Sequence, residues 1–167
     1  MKKNKIKLLV MDVDGTLTDG RIYLTENGEF CKAFHVKDGY GIATILPKYD
    51  IIPVIITGRK SNILKKRCEE LNIHELYQGC SDKLALLNKL AKQYHLTQNL
   101  QRKFKEIAYI GDDINDLKCI LSCGVSACPN DAVEDIKKNV NYICCKEGGK
   151  GAVREFIEWL IIDSDEN

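Results

Sequence analysis

A parallel α/β sheet flanked by helices is the fold class this sequence predicts, and three observations predict it. Apolar runs of strand length recur at residues 6–11, 52–56, 107–110, 124–127 and 140–143. Stretches of helical periodicity separate them, and such alternation builds a parallel sheet covered on both faces. Several of the runs end in clusters of polar residues, as expected where the carboxyl ends of parallel strands bind a ligand.

The first run, 6–11, leads directly into Asp12. Residues 21–35 contain two β-prone runs flanking Asn27-Gly28, a favoured turn dipeptide, which predicts a projecting β-hairpin after strand 1. The best helix spans 81–95: Leu84, Leu87, Ala91 and Tyr94 line one stripe, Leu86 and Leu90 widen it, and Ser81 is a plausible N-cap. A last helix over about 151–162 places Val153, Phe156, Ile157 and Leu160 at core spacing, with Trp159 beside them. The acidic tail, 163–167, is expected to fray. No repeat, low-complexity tract or linker interrupts the chain, so a single domain over 1–167 is expected.

Composition narrows the function. At 167 residues and 44% hydrophobic content the chain can bury a core without disulfides or a structural metal. With 25 Lys+Arg against 24 Asp+Glu, the formal charge of +1 gives no field to recruit nucleic acid or an anionic membrane, so neither is expected as a partner. The basic N-terminus looks superficially like a signal-peptide start, but its apolar run is short and broken by Asp12 and Asp14. No later segment approaches a membrane span. The eight cysteines match no CxxC or zinc spacing and read as reduced thiols, which implies a cytoplasmic protein.

The chemistry gathers at the strand ends. The first strand runs into Asp12-Val-Asp14-Gly15-Thr16, the second into Thr57-Gly58-Arg59-Lys60, and a later one into Gly111-Asp112-Asp113-Ile-Asn-Asp116; Lys83 opens the long helix. Alternation along a strand puts Asp12 and Asp14 on one side, where two carboxylates repel unless a cation or proton intervenes. Asp112 and Asp116 add to that repulsion. A hard divalent cation resolves it, and an all-oxygen set without His or Cys points to Mg²⁺. Lys83 in a first helical turn opposes the helix dipole by about 0.3–1 kcal/mol, which makes sense beside an anion. Thr57 offers a hydroxyl, and Gly15 and Gly58 let backbone N–H groups approach phosphate oxygens. Taken singly, Asp112 and Asp113 could be first-turn acids and Lys83 a solvated surface charge. Together these residues outline a cradle for a phosphoryl group.

The order DxDGT, hydrophobic-TG, Lys and GDDxxD, carried here by residues 12–16, 56–58, Lys83 and 111–116, resembles the haloacid dehalogenase superfamily. Further stretches at 34–41, 56–60, 76–79, 81–84 and 148–155 resemble its capless sugar-acid phosphatases, those acting on 3-deoxy-D-manno-octulosonate 8-phosphate (KDO 8-phosphate). The resemblance covers nearly the whole chain. It implies a Rossmann-like fold and Mg²⁺-dependent phosphomonoester hydrolysis through a phospho-aspartate. Asp12 would be the nucleophile and Asp14 the general acid, then base. Asp12, the backbone carbonyl of Asp14, and Asp112 would ligate the metal, with Asp113 beside them. Asp116 would orient Lys83 or a metal-bound water, and Thr57 would hydrogen-bond the phosphate.

About forty residues separate Asp14 from Thr57, and a hairpin, a helix and a strand use them up at ordinary lengths, so no cap domain is expected. The resembling enzymes instead form a homotetramer in which neighbours cover each site, which would place Ile22, Leu24 and Phe30 at an interface; packing on the chain's own sheet is the other option for these side chains. Arg59 and Lys60 would bind the sugar acid, and residues 148–151 would lie near the site, either this chain's or a neighbour's. The chain departs from the family at His35 and Lys37, where Asn and Arg are common, and in a longer, more basic connection at 98–105. A phosphatase of a nine-carbon sugar acid is the nearest competing reading. A receiver-type signalling domain is a distant one, because receivers place the phosphorylated Asp after the third strand.

Overall fold

The computed structural model describes residues 6–96 and 104–162. Six strands form one sheet: β1 (Leu8–Met11), β4 (Ile52–Thr57), β5 (Glu75–Gln78), β6 (Phe104–Ile110), β7 (Cys123–Cys128) and β8 (Tyr142–Ile143), in the spatial order β5-β4-β1-β6-β7-β8. Every pairing among them is parallel. A separate antiparallel hairpin, β2 (Tyr23–Thr25) and β3 (Gly28–Cys31), follows β1. From β1 the chain first builds outward through β4 and β5, then crosses to build β6, β7 and β8 on the other side. The order therefore reverses between β1 and β6, and the crevice beyond their carboxyl ends is where such sheets bind ligands.

Strand alternation sorts the core into two layers. Leu9, Met11, Ile55 and Ile110 face α2 (Asn62–Glu70) and α6 (Ala152–Ile161), packing with Leu64, Val153, Phe156 and Ile157. Leu8, Val10, Val54, Ile56 and Tyr109 face the opposite way, against Leu87, Leu90 and Ala91 of α3 (Lys83–Gln93) and Ile120 of α4 (Leu117–Ile120). Ile136 of α5 (Glu134–Lys137) completes that layer. A helical run covers residues 36–49, starting as α1 (Val36–Tyr40) and tightening around Pro47 before Asp50 stops it at φ 56°. Its Asp38 is buried and accepts the Arg154 backbone N–H at 2.7 Å, capping α6, whose own N-cap, Gly151, has no side chain to do so.

Several sequence expectations shift. The strand Glu75–Gln78 was not anticipated: its four residues are all half-buried at the sheet edge, too short for a clear period. Tyr94 at the end of α3 anchors it, donating to Glu75 at 2.6 Å. The hairpin turn sits on Glu26-Asn27, one residue before the expected Asn27-Gly28, because Gly28 pairs with Thr25 and itself takes the left-handed region at φ 111°. The long helix is capped by Asp82, not Ser81; the Asp82 carboxylate accepts the Ala85 N–H at 2.9 Å. The 163–167 tail and most of the 98–105 connection lie outside the described residues. All eight cysteines are free thiols, and among the described residues no helix is long and apolar enough to cross a membrane.

The elements between β1 and β4 are the hairpin and the 36–49 run, and those between β4 and α3 are α2 and β5, so no cap domain interrupts the fold at either place. In equilibrium urea unfolding, Asp82→Ala is expected to cost about 1 kcal/mol and Ser81→Ala a few tenths at most, because only the first removes an N-cap.

Candidate active site

The site is built where β1 and β6 end. The Asp12 N–H donates to the Ile110 carbonyl at 3.0 Å, so the ladder continues one residue past β1 and holds Asp12 against β6. Gly15 then turns the chain at φ 97°; a Cβ there would lie 2.1 Å from an Asp112 carboxylate oxygen. Glycine is therefore what lets the Asp112 side chain lie against this loop, where Thr16 donates to its Oδ1 at 2.8 Å. Asp12, Asp112 and Asp116 converge, each offering an oxygen within 4.8 Å of the others.

One ammonium is set among these three acids. Lys83 Nζ lies 2.8 Å from Asp12 Oδ1 and 2.7 Å from Asp116 Oδ1, with its side chain 4% exposed. Two charge-assisted bonds, each worth about 1.5–3 kcal/mol, outweigh the dipole penalty of a cation at a helix start. The anions that Lys83 requires are thus supplied by the protein itself. Asp116 is fully buried and saturated: its Oδ1 also accepts the Tyr109 hydroxyl at 2.6 Å, and its Oδ2 takes the Asp112 N–H at 3.2 Å.

Three carboxylates against one ammonium leave the cluster overcharged. At separations below 5 Å each acid pair repels by about 3 kcal/mol or more at an effective dielectric of about 20. Proton affinities respond accordingly. Burial, reinforced by Asp116 and only partly offset by Lys83, lifts the Asp12 carboxyl to about 6. Burial, with the charges of Asp12 and Asp116, lifts Asp112 to about 7 against the opposing Thr16 bond. Burial alone would lower Lys83, but Asp12 and Asp116 more than reverse it, so its pKa rises. Burial likewise raises the Tyr109 hydroxyl, keeping it a neutral donor.

Asp14 does not point into this cluster. Its Oδ1 is bonded by Lys32 Nζ, and Arg59 Nε lies 3.9 Å from its Oδ2. Thr57 ends β4, buried at the same sheet edge, since Met11 is level with Ile55. Beside Gly58 the space is open: among the described residues apart from its chain neighbours, a Cβ would come within 4 Å of Cys80 O alone, at 3.8 Å. Arg59 and Lys60 are exposed at the mouth. Asp113 is exposed and its carboxylate caps the turn Ile114–Asp116, accepting the Ile114 N–H at 2.7 Å. Residues 148–151 lie against this chain's own loop, with Gly149 N donating to Thr16 O at 3.1 Å. A Cβ on Gly148 would meet Gly15 O at 1.9 Å. His35, where the family commonly has Asn, still supplies the N-cap of α1, its Nδ1 accepting the Lys37 N–H at 3.3 Å.

The sequence reading missed Thr16 as a partner of Asp112, and it missed Tyr109, Lys32 and Glu29 entirely. Tyr109 was detectable in principle: it stands two residues before Gly111, among apolar neighbours, and a buried tyrosine needs a partner for its hydroxyl. Nothing in the hairpin's sequence marks Lys32, because its role depends on how the hairpin folds back.

With that geometry, similarity to known proteins becomes informative. A model of the haloacid dehalogenase-like hydrolases matches residues 75–157. The 3-deoxy-D-manno-octulosonate 8-phosphate phosphatase KdsC of Escherichia coli K12 is 40% identical over 161 residues, spanning 96% of this chain and 82% of that protein. A crystal structure of the phosphatase of that name from Yersinia pestis superposes with TM-score 0.89 at 39% identity, covering 97% of this chain and 84% of that one. The Moraxella catarrhalis phosphatase of the same name, in complex with magnesium ion, phosphate ion and KDO, gives TM-score 0.87 at 40% identity, covering 95% and 87%.

Because Asp12 and Asp112 hold protons more tightly when folded than their unfolded value of 3.8, the metal-free fold loses stability as pH rises from about 4 through about 7. A divalent cation should reverse that loss by displacing the protons. Calorimetry is expected to show the metal-free Tm falling between pH 5.5 and 7.5, and a Mg²⁺-induced rise in Tm that is larger at pH 7.5 than at 5.5.

Proposed function

Since the chain belongs to the haloacid dehalogenase-like hydrolases, among the KDO 8-phosphate phosphatases, we propose that it hydrolyses KDO 8-phosphate to KDO and phosphate through a phospho-aspartate on Asp12. The observation that carries this reading is the convergence of buried Asp12 and Asp116, bridged by Lys83, with half-buried Asp112, at the point where the strand order reverses.

The donors fit Mg²⁺. They are all oxygens, their negative charge exceeds what Lys83 neutralises, and Gly15 gives Asp112 room to approach. Asp12, Asp112 and the Asp14 carbonyl are the groups to hold it, while Asp116 is already committed to Lys83 and Tyr109. When bound, the ion neutralises charge on the phosphoryl oxygens.

Asp12 attacks phosphorus as the bond to the sugar oxygen breaks, and Asp14 gives its proton to that leaving oxygen. In the second half, Asp14 as carboxylate takes a proton from water; the water oxygen attacks phosphorus and expels the Asp12 carboxylate, which regenerates both groups. Lys83 stabilises the transferring oxygens from a position fixed by Asp116, and Thr57 and the open face of Gly58 receive the phosphate. Arg59, half-exposed at the mouth, presents a planar fork suited to the sugar-acid carboxylate, with Lys60 beside it. The eight-carbon substrate is supported by the relatives that share the fold over 95% or more of the chain.

Ile22, Leu24 and Phe30 are 40%, 64% and 69% exposed, which supports a homotetramer assembled through the hairpins and argues against packing on the chain's own sheet. The free thiols support a cytoplasmic setting.

With KDO 8-phosphate and Mg²⁺, Asp12→Asn is expected to lose at least about 10³-fold in kcat while still unfolding in a single cooperative transition, with a smaller Mg²⁺-induced rise in Tm than the unaltered protein; phosphate release at the unaltered rate would overturn the mechanism. A nine-carbon sugar-acid 9-phosphate should show a lower kcat/KM than KDO 8-phosphate on the unaltered protein. In sedimentation velocity, Phe30→Glu should shift the protein to smaller species.

A further inference from the structure

Lys32 lies just beyond β3, yet its side chain is 2% exposed, a desolvated ammonium that the catalytic scheme so far leaves without a task. Its Nζ bonds Asp14 Oδ1 and lies 3.2 Å from Glu29 Oε1. The other Glu29 oxygen, Oε2, accepts the Ser61 hydroxyl. Ser61 is in turn fixed from two sides: its Oγ caps α2 by accepting the Leu64 N–H at 3.1 Å, and its N–H donates to Gln78 at the end of β5. The hairpin thus delivers two charged side chains to the sheet's carboxyl edge, and the chain Asp14–Lys32–Glu29–Ser61 ties the first loop to the loop after β4.

An aspartate carboxylate has a broad terminal torsion, so one short bond to a rigid partner decides which oxygen faces the substrate. Lys32 occupies Oδ1. Oδ2 is left toward half-exposed Arg59, 3.9 Å away and beyond hydrogen-bond reach. We propose that Lys32, braced by Glu29 and Ser61, is the positioning residue for Asp14: it locks Oδ1 so that Oδ2 is the atom that exchanges the proton with the leaving sugar oxygen. The hairpin is then part of the catalytic apparatus as well as a contact surface. This rests on the reading of Asp14 as general acid.

Leaving-group dependence separates positioning from a structural role. A sugar alkoxide cannot depart without a proton, whereas p-nitrophenolate can, and kcat/KM reports only the step in which the leaving group departs. For Lys32→Met with Mg²⁺, kcat/KM for KDO 8-phosphate should fall at least about 100-fold while that for p-nitrophenyl phosphate falls less than about 5-fold. Glu29→Gln should show the same pattern more weakly, and Lys32→Arg should restore part of the loss. Equal losses on both substrates, or none on either, would overturn the proposal, and Tm values monitor folding in each case. Asp14→Asn is the control. If it discriminates between the substrates and Lys32→Met does not, positioning by Lys32 is wrong; if Asp14→Asn does not discriminate, the general-acid reading itself fails.

Discussion

The site depends on an imbalance of charge: two buried carboxylates share one ammonium, and a third, half-buried, converges on them. Neither the sheet nor the helices require this arrangement, and burial makes it costly. It persists because each acid is held by a separate part of the fold. Asp12 is tied to β6 through the backbone ladder, Asp112 follows β6 and is held against the loop opened by Gly15 through Thr16, and Asp116 is locked by Tyr109, Lys83 and a backbone N–H. A cluster so constrained cannot relax by rotating its acids apart. It takes up protons or a cation instead, and a divalent cation with a phosphate ester beside it suits a rigid, all-oxygen, negatively charged rim.

Around that centre the protein divides its labour between loops and sheet. The central strands are buried on both faces and hold the acids in place, while Arg59 and Lys60, the residues proposed to meet the sugar acid, are exposed at the mouth. The glycine segment at 148–149 packs its backbone directly onto the 15–19 loop, and any side chain at Gly148 would collide with Gly15. The far end of the chain therefore supports the loop that follows β1. The hairpin approaches from the other side with Lys32 and Glu29, so the two carboxylates of the first motif have different neighbours: Asp12 belongs to the buried cluster, Asp14 to the hairpin.

Much of this was legible in the sequence because it follows from periodicity and local chemistry. The parallel class, five of the six strands of the sheet, the long helix expected over 81–95 and found at Lys83–Gln93, and the gathering of acids at strand ends all leave patterns in a linear string. What escaped depends on approach in three dimensions. The edge strand Glu75–Gln78 is half-buried and four residues long, so neither alternation nor a continuous apolar run marks it. The helix cap moved from Ser81 to Asp82 because two adjacent residues could each serve, and the backbone decides between them. Asp113 reads like its neighbour Asp112, yet a one-residue difference along the turn sends one carboxylate to the cluster and the other to a cap. The lysine most closely associated with Asp14 lies eighteen residues away on a hairpin whose fold-back no motif announces.

The central claim, that these acids are held in want of a cation, is tested most directly by counting protons. Titration calorimetry of Mg²⁺ into the protein at pH 6.5, repeated in buffers of different ionisation enthalpy, measures the protons released on binding. Asp12 near 6 and Asp112 near 7 predict net proton release at pH 6.5 that fades above about pH 8. Binding with no proton released at pH 6.5, or with protons taken up, would contradict the account.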